Sequence, residues 1–443
     1  MNALTFGFLS LLLVSSTIGL AAPFNATANK QSQEPTEDSW DDWGDADWQD
    51  ESLSPWQYSG FAEFGLGQFS RDNVTVSQWS LQELRGQLDV KYSAERFVVN
   101  VKGEILADGV TDESKFSTRE LNVSLNAFEN TDVILGRQVI TWGTGDYLFL
   151  NDLFGKDWQS FFSGRDDTYL KAPNDALRIL HYTNSITLDL VYSPEFTPDQ
   201  YLTGERFSFY SPSEQAIVAP ETMTVATEND HQLSVRLATT RNGVEYGAYG
   251  YQGFWTTPVG FKLDQRNIGT AYFPKLNAYG ASLRMPAFSG LINTEFAVYN
   301  SLEDKGGSNP FIANSQIRLL LGYERELFTN VTGTMQLYLE HTQDYDALIA
   351  NSNSSDMLVD ETRQLVTIRL TQLARQQTLI NRLFMAYSPT DSDAYLKPST
   401  TFKYSDQWHL SAGANIFVGK HIHTFFGQHK DNSNIWLRIK YNM

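Results

Sequence analysis

The sequence predicts an all-β chain, an antiparallel transmembrane β-barrel of about 18 strands, with about 16 as the alternative count. Three observations predict it. From about Trp56 to Met443 the chain reads as short amphipathic strands whose apolar and polar residues alternate. The connections between them alternate too: tight at Ser93–Ala94, Asn130–Thr131, Thr183–Ser185, Thr240–Gly243 and Ala374–Gln376, and long at 143–175 and 195–229. Short turns at one end and longer loops at the other are the habit of a membrane barrel. Finally, 41% of residues are hydrophobic and 13% aromatic, and mean hydropathy is −0.34. A helical membrane protein would be far more apolar, whereas a barrel hides its apolar residues by alternation.

The first element is the apolar run Leu4 to Ala22, followed by small residues. It predicts a signal peptide over 1–28, with Ala26-Thr27-Ala28 as the cleavage motif and Ala21 as a second candidate. The tail 29–55 is next, where Glu34, Glu37, Asp38, Asp41, Asp42, Asp45, Asp47, Asp50 and Glu51 surround Trp40, Trp43 and Trp48. So dense a like-charged block does not fold alone. It is a soluble periplasmic tail, a tethered plug, or a docking peptide for a periplasmic partner with the tryptophans as anchors. The remainder, 56–443, is the barrel.

The strands are expected near 57–69, 79–92, 95–106, 116–127, 131–142, 176–184, 186–194, 230–241, 244–255, 275–286, 290–301, 314–326, 330–343, 361–373, 377–389, 392–405, 407–418 and 433–443. Lengths near ten residues suit a tilted crossing of a bilayer. An even count lets the last strand close on the first, leaving no unpaired edge in lipid. Leu84, Leu88 and Val90 oppose Glu83, Arg85, Gln87 and Asp89; Val366, Ile368 and Leu370 oppose Arg363, Thr367 and Arg369. Tyr58, Trp79, Tyr92, Trp255, Tyr323, Tyr387 and Trp408 fall near strand ends, as interfacial girdles require. The last strand sets Ile435, Leu437, Ile439, Tyr441 and Met443 on one face. This resembles the terminal strand by which Gram-negative assembly machinery recognises its barrels, with Met443 in place of the usual Phe.

Arg119-Glu120-Leu121-Asn122-Val123, then Ile134-Leu135-Gly136-Arg137-Gln138 and Trp142-Gly143, resemble porin-like outer-membrane families. The alginate-export proteins, which are 18-stranded barrels, carry a similar Arg-Glu strand followed by a Gly-Arg-Gln strand. The likeness covers about residues 116–145 and does not imply alginate as a substrate. It implies the outer membrane of a Gram-negative cell, surrounded by lipid and lipopolysaccharide.

On the polar faces, Glu63, Glu83, Asp89, Glu104 and Glu120 occupy the first four strands, with Arg85 among them. Arg318, Arg363, Arg369, Arg382, Lys397 and Lys403 occupy strands 12 to 16, and Arg178 and Arg236 lie between the two groups. Ionisable residues on a barrel face water or partners, so these are the expected pore-lining residues. Opposed walls of charge create a transverse field that admits polar solutes; mutual Arg–carboxylate pairing that fills the lumen is the alternative. Asp189, Glu295, Glu324 and Glu340 leave the lumen near balance. The loop after Gly143 is long enough to fold inward as a constriction, with Asp146, Asp152, Asp157, Arg165, Asp166 and Asp167 as the charged residues expected to act there. Arg137 shares parity with Val133 and Leu135, which points it outward unless a bulge intervenes or an infolded loop covers both faces.

The formal charge of −19 argues against nucleic acid, and a chain without cysteine has no disulfide framework. No Gly-x-Ser-x-Gly or His-Glu-x-x-His motif is present, so no enzyme, metal or cofactor is expected. With both termini periplasmic, the expectation is a channel for small polar or anionic solutes. A polymer-export barrel with a periplasmic partner, and a barrel enzyme or adhesin, are the alternatives.

Overall fold

In the computed structural model, alternation along the sequence becomes a wall with two unlike faces. The structure describes residues 54–75, 77–211, 215–219, 224–226, 228–263, 269–352 and 360–443. The signal peptide and nearly all of the acidic tail lie outside them. The barrel strands are β1 (Trp56–Phe69), β2 (Trp79–Ser93), β3 (Phe97–Asp108), β4 (Glu113–Phe128), β5 (Thr131–Gln138), β6 (Asn174–Tyr182), β7 (Thr187–Ser193), β8 (Gln232–Arg241) and β9 (Val244–Phe254). They continue as β10 (Lys275–Ala287), β11 (Gly290–Ser301), β12 (Gln316–Phe328), β13 (Val331–Thr342), β14 (Thr362–Ala374), β15 (Leu379–Ser388), β16 (Asp393–Lys403), β17 (Trp408–Gly419) and β18 (Asn434–Asn442). Each is antiparallel to the next in an 18-stranded sheet, and β1 pairs with β18 from Phe61↔Asn442 to Phe69↔Asn434. The sheet is therefore closed, and no edge is left to leave backbone groups unpaired.

The outward face is apolar. Leu84 and Leu135 are each 59% exposed, and Ile435 is 60% exposed, while their neighbours Glu83, Arg85, Trp436 and Arg438 are buried. Tyr58, Trp79, Tyr387 and Trp408 are exposed on the same outer surface, as an interfacial girdle requires. Trp255 is not part of such a girdle. The chain turns inward just after β9, and Trp255 is buried against Tyr299, ring centroids 5.6 Å apart.

Strand β5 stops at Gln138, short of the expected 142, and Gly136 shows why. Its φ of +117° is open to glycine at little cost, and a Cβ there would collide with the Leu121 carbonyl of β4. Beyond it the chain leaves the wall and enters the barrel. The bulge lies on β4, not at Arg137: Lys102 faces Glu120 and Gly103 faces Thr118, which leaves Arg119 as the extra residue. Arg137 keeps its outward parity, half-exposed, and forms an ion pair with Asp175 at 2.5 Å.

The interior is packed. Phe161, Phe162 and Leu170 from the loop between β5 and β6 join Phe207 from the loop between β7 and β8. They meet Tyr299, Leu320, Tyr338, Phe384, Tyr395 and Phe417 of the wall in one apolar cluster. Phe162 meets Tyr395 and Phe417 nearly edge-on, at 5.5 and 5.1 Å between centroids.

Candidate functional site: an infolded loop between charged walls

Loop 139–173 crosses the barrel interior and is fixed to the wall on opposite sides. At its entry the Glu295 carboxylate on β11 acts as a socket. It accepts the backbone N–H groups of Thr144 and Gly145, the Thr144 hydroxyl at 3.0 Å and the Asn151 amide at 2.7 Å. A short helix, Trp158–Ser163, follows. Asp157 caps it by accepting from Ser160 N at 2.8 Å, and Gly164 ends it at φ +88°. Gly164 packs against the Trp436 indole so closely that a Cβ would meet the ring. That contact sets how near the loop lies to β18.

Of the six charged loop residues expected at the constriction, three reach the wall. Arg165 donates through Nε to both Glu83 oxygens at 3.1 and 3.0 Å, and lies 3.6 Å from Asp108. On the other side, Asp146 pairs with Arg369 at 3.0 Å. Asp167 pairs with Lys397 at 2.6 Å and accepts from the Tyr147 hydroxyl at 2.6 Å. The ammonium of Lys397 holds the Asp167 carboxyl down at about 2 despite its burial. The other three shape the loop itself. Asp152 pairs with Lys156 at 3.0 Å, Asp157 caps the helix, and Asp166 accepts from Thr168 N at 3.1 Å.

The polar residues of the wall form three groups. At β2 and β3, Arg85 bridges Glu83 and Glu104 at 3.1 and 3.0 Å, and its guanidinium lies 4.1 Å from the centre of the Tyr169 ring. Arg119 covers the same ring at 4.5 Å, and the Tyr169 hydroxyl donates to Glu104 at 2.5 Å. Nearby, Lys102 joins Asp89 at 3.1 Å to Glu120 at 2.5 Å, and Glu63 faces Arg438 at 3.5 Å. The second group has Arg178 forked onto Asp189 at 2.8 and 2.6 Å, with Arg236 opposite Asp189 in the ladder. The third runs from β12 to β16. Arg318 pairs with Glu340 at 3.3 Å, Arg363 with Asp391 at 2.7 Å, and Arg369 with Glu324 at 3.1 Å. Arg382 stands between Thr371 and Ser399, and Lys403 opposite His409.

The acidic and basic walls are thus not bare. The loop brings a cation to the acidic side and carboxylates to the basic side, so much of the opposition is satisfied across the loop. Sequence reasoning missed a second cation on the acidic side. Arg206, from the loop between β7 and β8, is buried against Asp108, lies 3.3 Å from Glu83 and donates to the Ser80 carbonyl at 2.8 Å. Nothing in its neighbourhood separates it from an ordinary loop arginine. The two infolded loops also meet directly. Asp199 accepts from Lys156 N at 2.8 Å, Trp158 Nε1 at 3.0 Å and Thr256 Oγ1 at 3.2 Å. Burial pushes its carboxyl up to about 6. Among the described residues no group of three or more His, Cys, Asp or Glu is placed to hold a metal.

No protein-family model matches the sequence, and no curated protein matches it. Solved structures do. The outer-membrane porin OccD3 (OpdP) of Pseudomonas aeruginosa is similar at 10% identity and a TM-score of 0.51, over 88% of this chain and 90% of its own. OccAB3 of Acinetobacter baumannii is similar at 10% identity and a TM-score of 0.53, over 88% of this chain and all of its own. The chain has the porin-like closed barrel fold, at a distance that identifies no close family.

Proposed function

We propose that the protein is a porin-type channel of a Gram-negative outer membrane, with both termini periplasmic. It passes small polar or anionic solutes, and loop 139–173 sets its bore. One observation carries this reading: the loop lies across the interior, held by ion pairs of Arg165 to Glu83 on β2 and of Asp146 to Arg369 on β14, and by the Glu295 carboxylate on β11. Preorganised charge at a narrow section selects solutes that replace hydration with fixed partners. The polar inner residues, Arg382 and Lys403 included, supply the path on either side. The reading needs no catalysis, since none of these groups forms a nucleophile–base pair.

Planar-bilayer recording of the mature chain is the test. A steady conductance with a reversal potential displaced toward anions supports the proposal. Conductance that appears only after removal of residues 31–55 assigns the acidic tail as a gate and favours an export barrel. Silence in both forms removes the channel reading.

A further inference from the structure

The outer wall carries a charged pair where apolar surface is expected. Arg137 on β5 and Asp175 on β6 are direct ladder partners. The guanidinium forks onto the carboxylate, through Nε at 2.9 Å and Nη2 at 2.5 Å. Both heads face outward, with side chains 40% and 55% exposed. Leu121, the partner of Arg137 on β4, stands midway along that strand, Glu113–Phe128. Ile105 and Phe116, paired on β3 and β4 nearer the long-loop end, are 64% and 71% exposed. Leu121 and Leu135 are exposed beside the pair and toward the turns. Apolar surface therefore continues on both sides of it. Ionised groups on the lipid face of a barrel are costly, most of all near mid-bilayer. The fork lowers that cost but leaves both heads uncovered.

We propose that this face binds a second copy of the chain, the two barrels standing side by side about a twofold axis along the membrane normal. Charge complementarity selects that partner. The guanidinium and the carboxylate lie next to each other on adjacent strands. Half a turn about such an axis sets the partner's Asp175 opposite Arg137, and the partner's Arg137 opposite Asp175. The two forks close into one ring of alternating charge. Each head gains a second charged partner and loses its contact with lipid. One row toward the turns, Leu135 and Leu177 are also ladder partners, so Leu135 packs against the partner's Leu177 in the same way. A ring of three would instead set the pair against another stretch of wall. Exposed mid-strand residues there, such as Leu88, Phe296 and Leu321, bring no charge to meet it. The inference rests on the outer-membrane reading above but not on conduction.

The test co-expresses the full mature chain with two different affinity tags. Co-purification of the tags in mild detergent and mass by light scattering are the readouts, with copies counted by stepwise photobleaching in a bilayer. The wild type should co-purify and have the mass of two chains. Arg137→Leu combined with Asp175→Leu should reduce co-purification about tenfold or more, with the unfolding temperature held or raised. The swap, Arg137→Asp combined with Asp175→Arg, keeps a pair within each chain and so keeps the fold. Swapped chains should associate with one another and not with the wild type, since a mixed dimer sets like charges face to face. A monomeric wild type, three copies per assembly, full association of the leucine variant, or free mixing of swapped and wild-type chains would each overturn the proposal. A monomer that conducts counts against this inference alone; a silent dimer counts against the conduction reading alone.

Discussion

The Arg165 guanidinium reaches back over 82 positions of sequence to fork onto Glu83, at 3.1 and 3.0 Å. That contact ties the infolded loop to strand β2, and Arg206 reaches the same carboxylate from a second loop. Glu83 is the point at which two loops and the wall share one charge.

Glu83→Gln should therefore free both loops. Arg85, Arg165 and Arg206 would face a neutral amide, and breaking a buried pair costs about 3–5 kcal/mol. Limited proteolysis of the folded barrel should show new cleavage within 139–173, and open-channel current should become larger and noisier. An unchanged cleavage pattern would mean that Glu295 and the apolar cluster hold the loop without this anchor.

Arg369→Glu places a third carboxylate beside Glu324 and Asp146. The reversal potential in a salt gradient should move toward cation preference. An unmoved reversal potential would take this wall out of the ion path.

Gly164→Ala tests the contact with Trp436. The substitution incurs the strain of φ +88°, about 1–3 kcal/mol, as well as the clash with the indole. Gly243→Ala is the control, since Gly243 has φ +76° and open space around it. Gly164→Ala should lower the unfolding temperature more than Gly243→Ala; equal shifts would mean that the loop yields at Trp436 without cost.

Asp199 predicts a pH dependence where the two loops meet. Burial raises its carboxyl from the ordinary 3.8 to about 6, so the folded state binds the proton more tightly than the unfolded state. The stability it contributes is full below pH 3.8 and is lost as pH rises through about 6, in all about 3 kcal/mol. Backbone exchange at 156–158 and 199–200, corrected for intrinsic rates, should be slower at pH 5 than at pH 7.5, and Asp199→Ala should flatten the difference. Buried His429 has the opposite sign. Burial lowers it to about 4, so its contribution is lost as pH falls from 6.5 toward 4. Its contact is with the Ser208 carbonyl.

The wall was legible because its signal is local. Period-two alternation and tight turns place all 18 strands within a few residues, and the inward parity of Glu83, Lys397 or Arg318 follows from their neighbours. Length and composition also marked 143–175 as a loop able to fold inward. Pairing across the lumen was not legible. Lys397 meets Asp167 over 230 positions, and such a contact leaves no periodicity in sequence. Arg206 and Tyr169 likewise owe their roles to the depth at which their loops lie. Trp255 and Gln138 mark where the chain leaves the wall, a turn that alternation alone does not announce.

The central claim is that loop 139–173, held between charged walls, sets the bore of a channel. Single-channel conductance of the wild type against a variant with residues 146–170 replaced by a short Gly-Ser linker tests it most directly. The account predicts that the wild type conducts and that the shortened variant carries a several-fold larger current with weaker ion selectivity. Equal conductance and selectivity in the two, or silence in both, would contradict it.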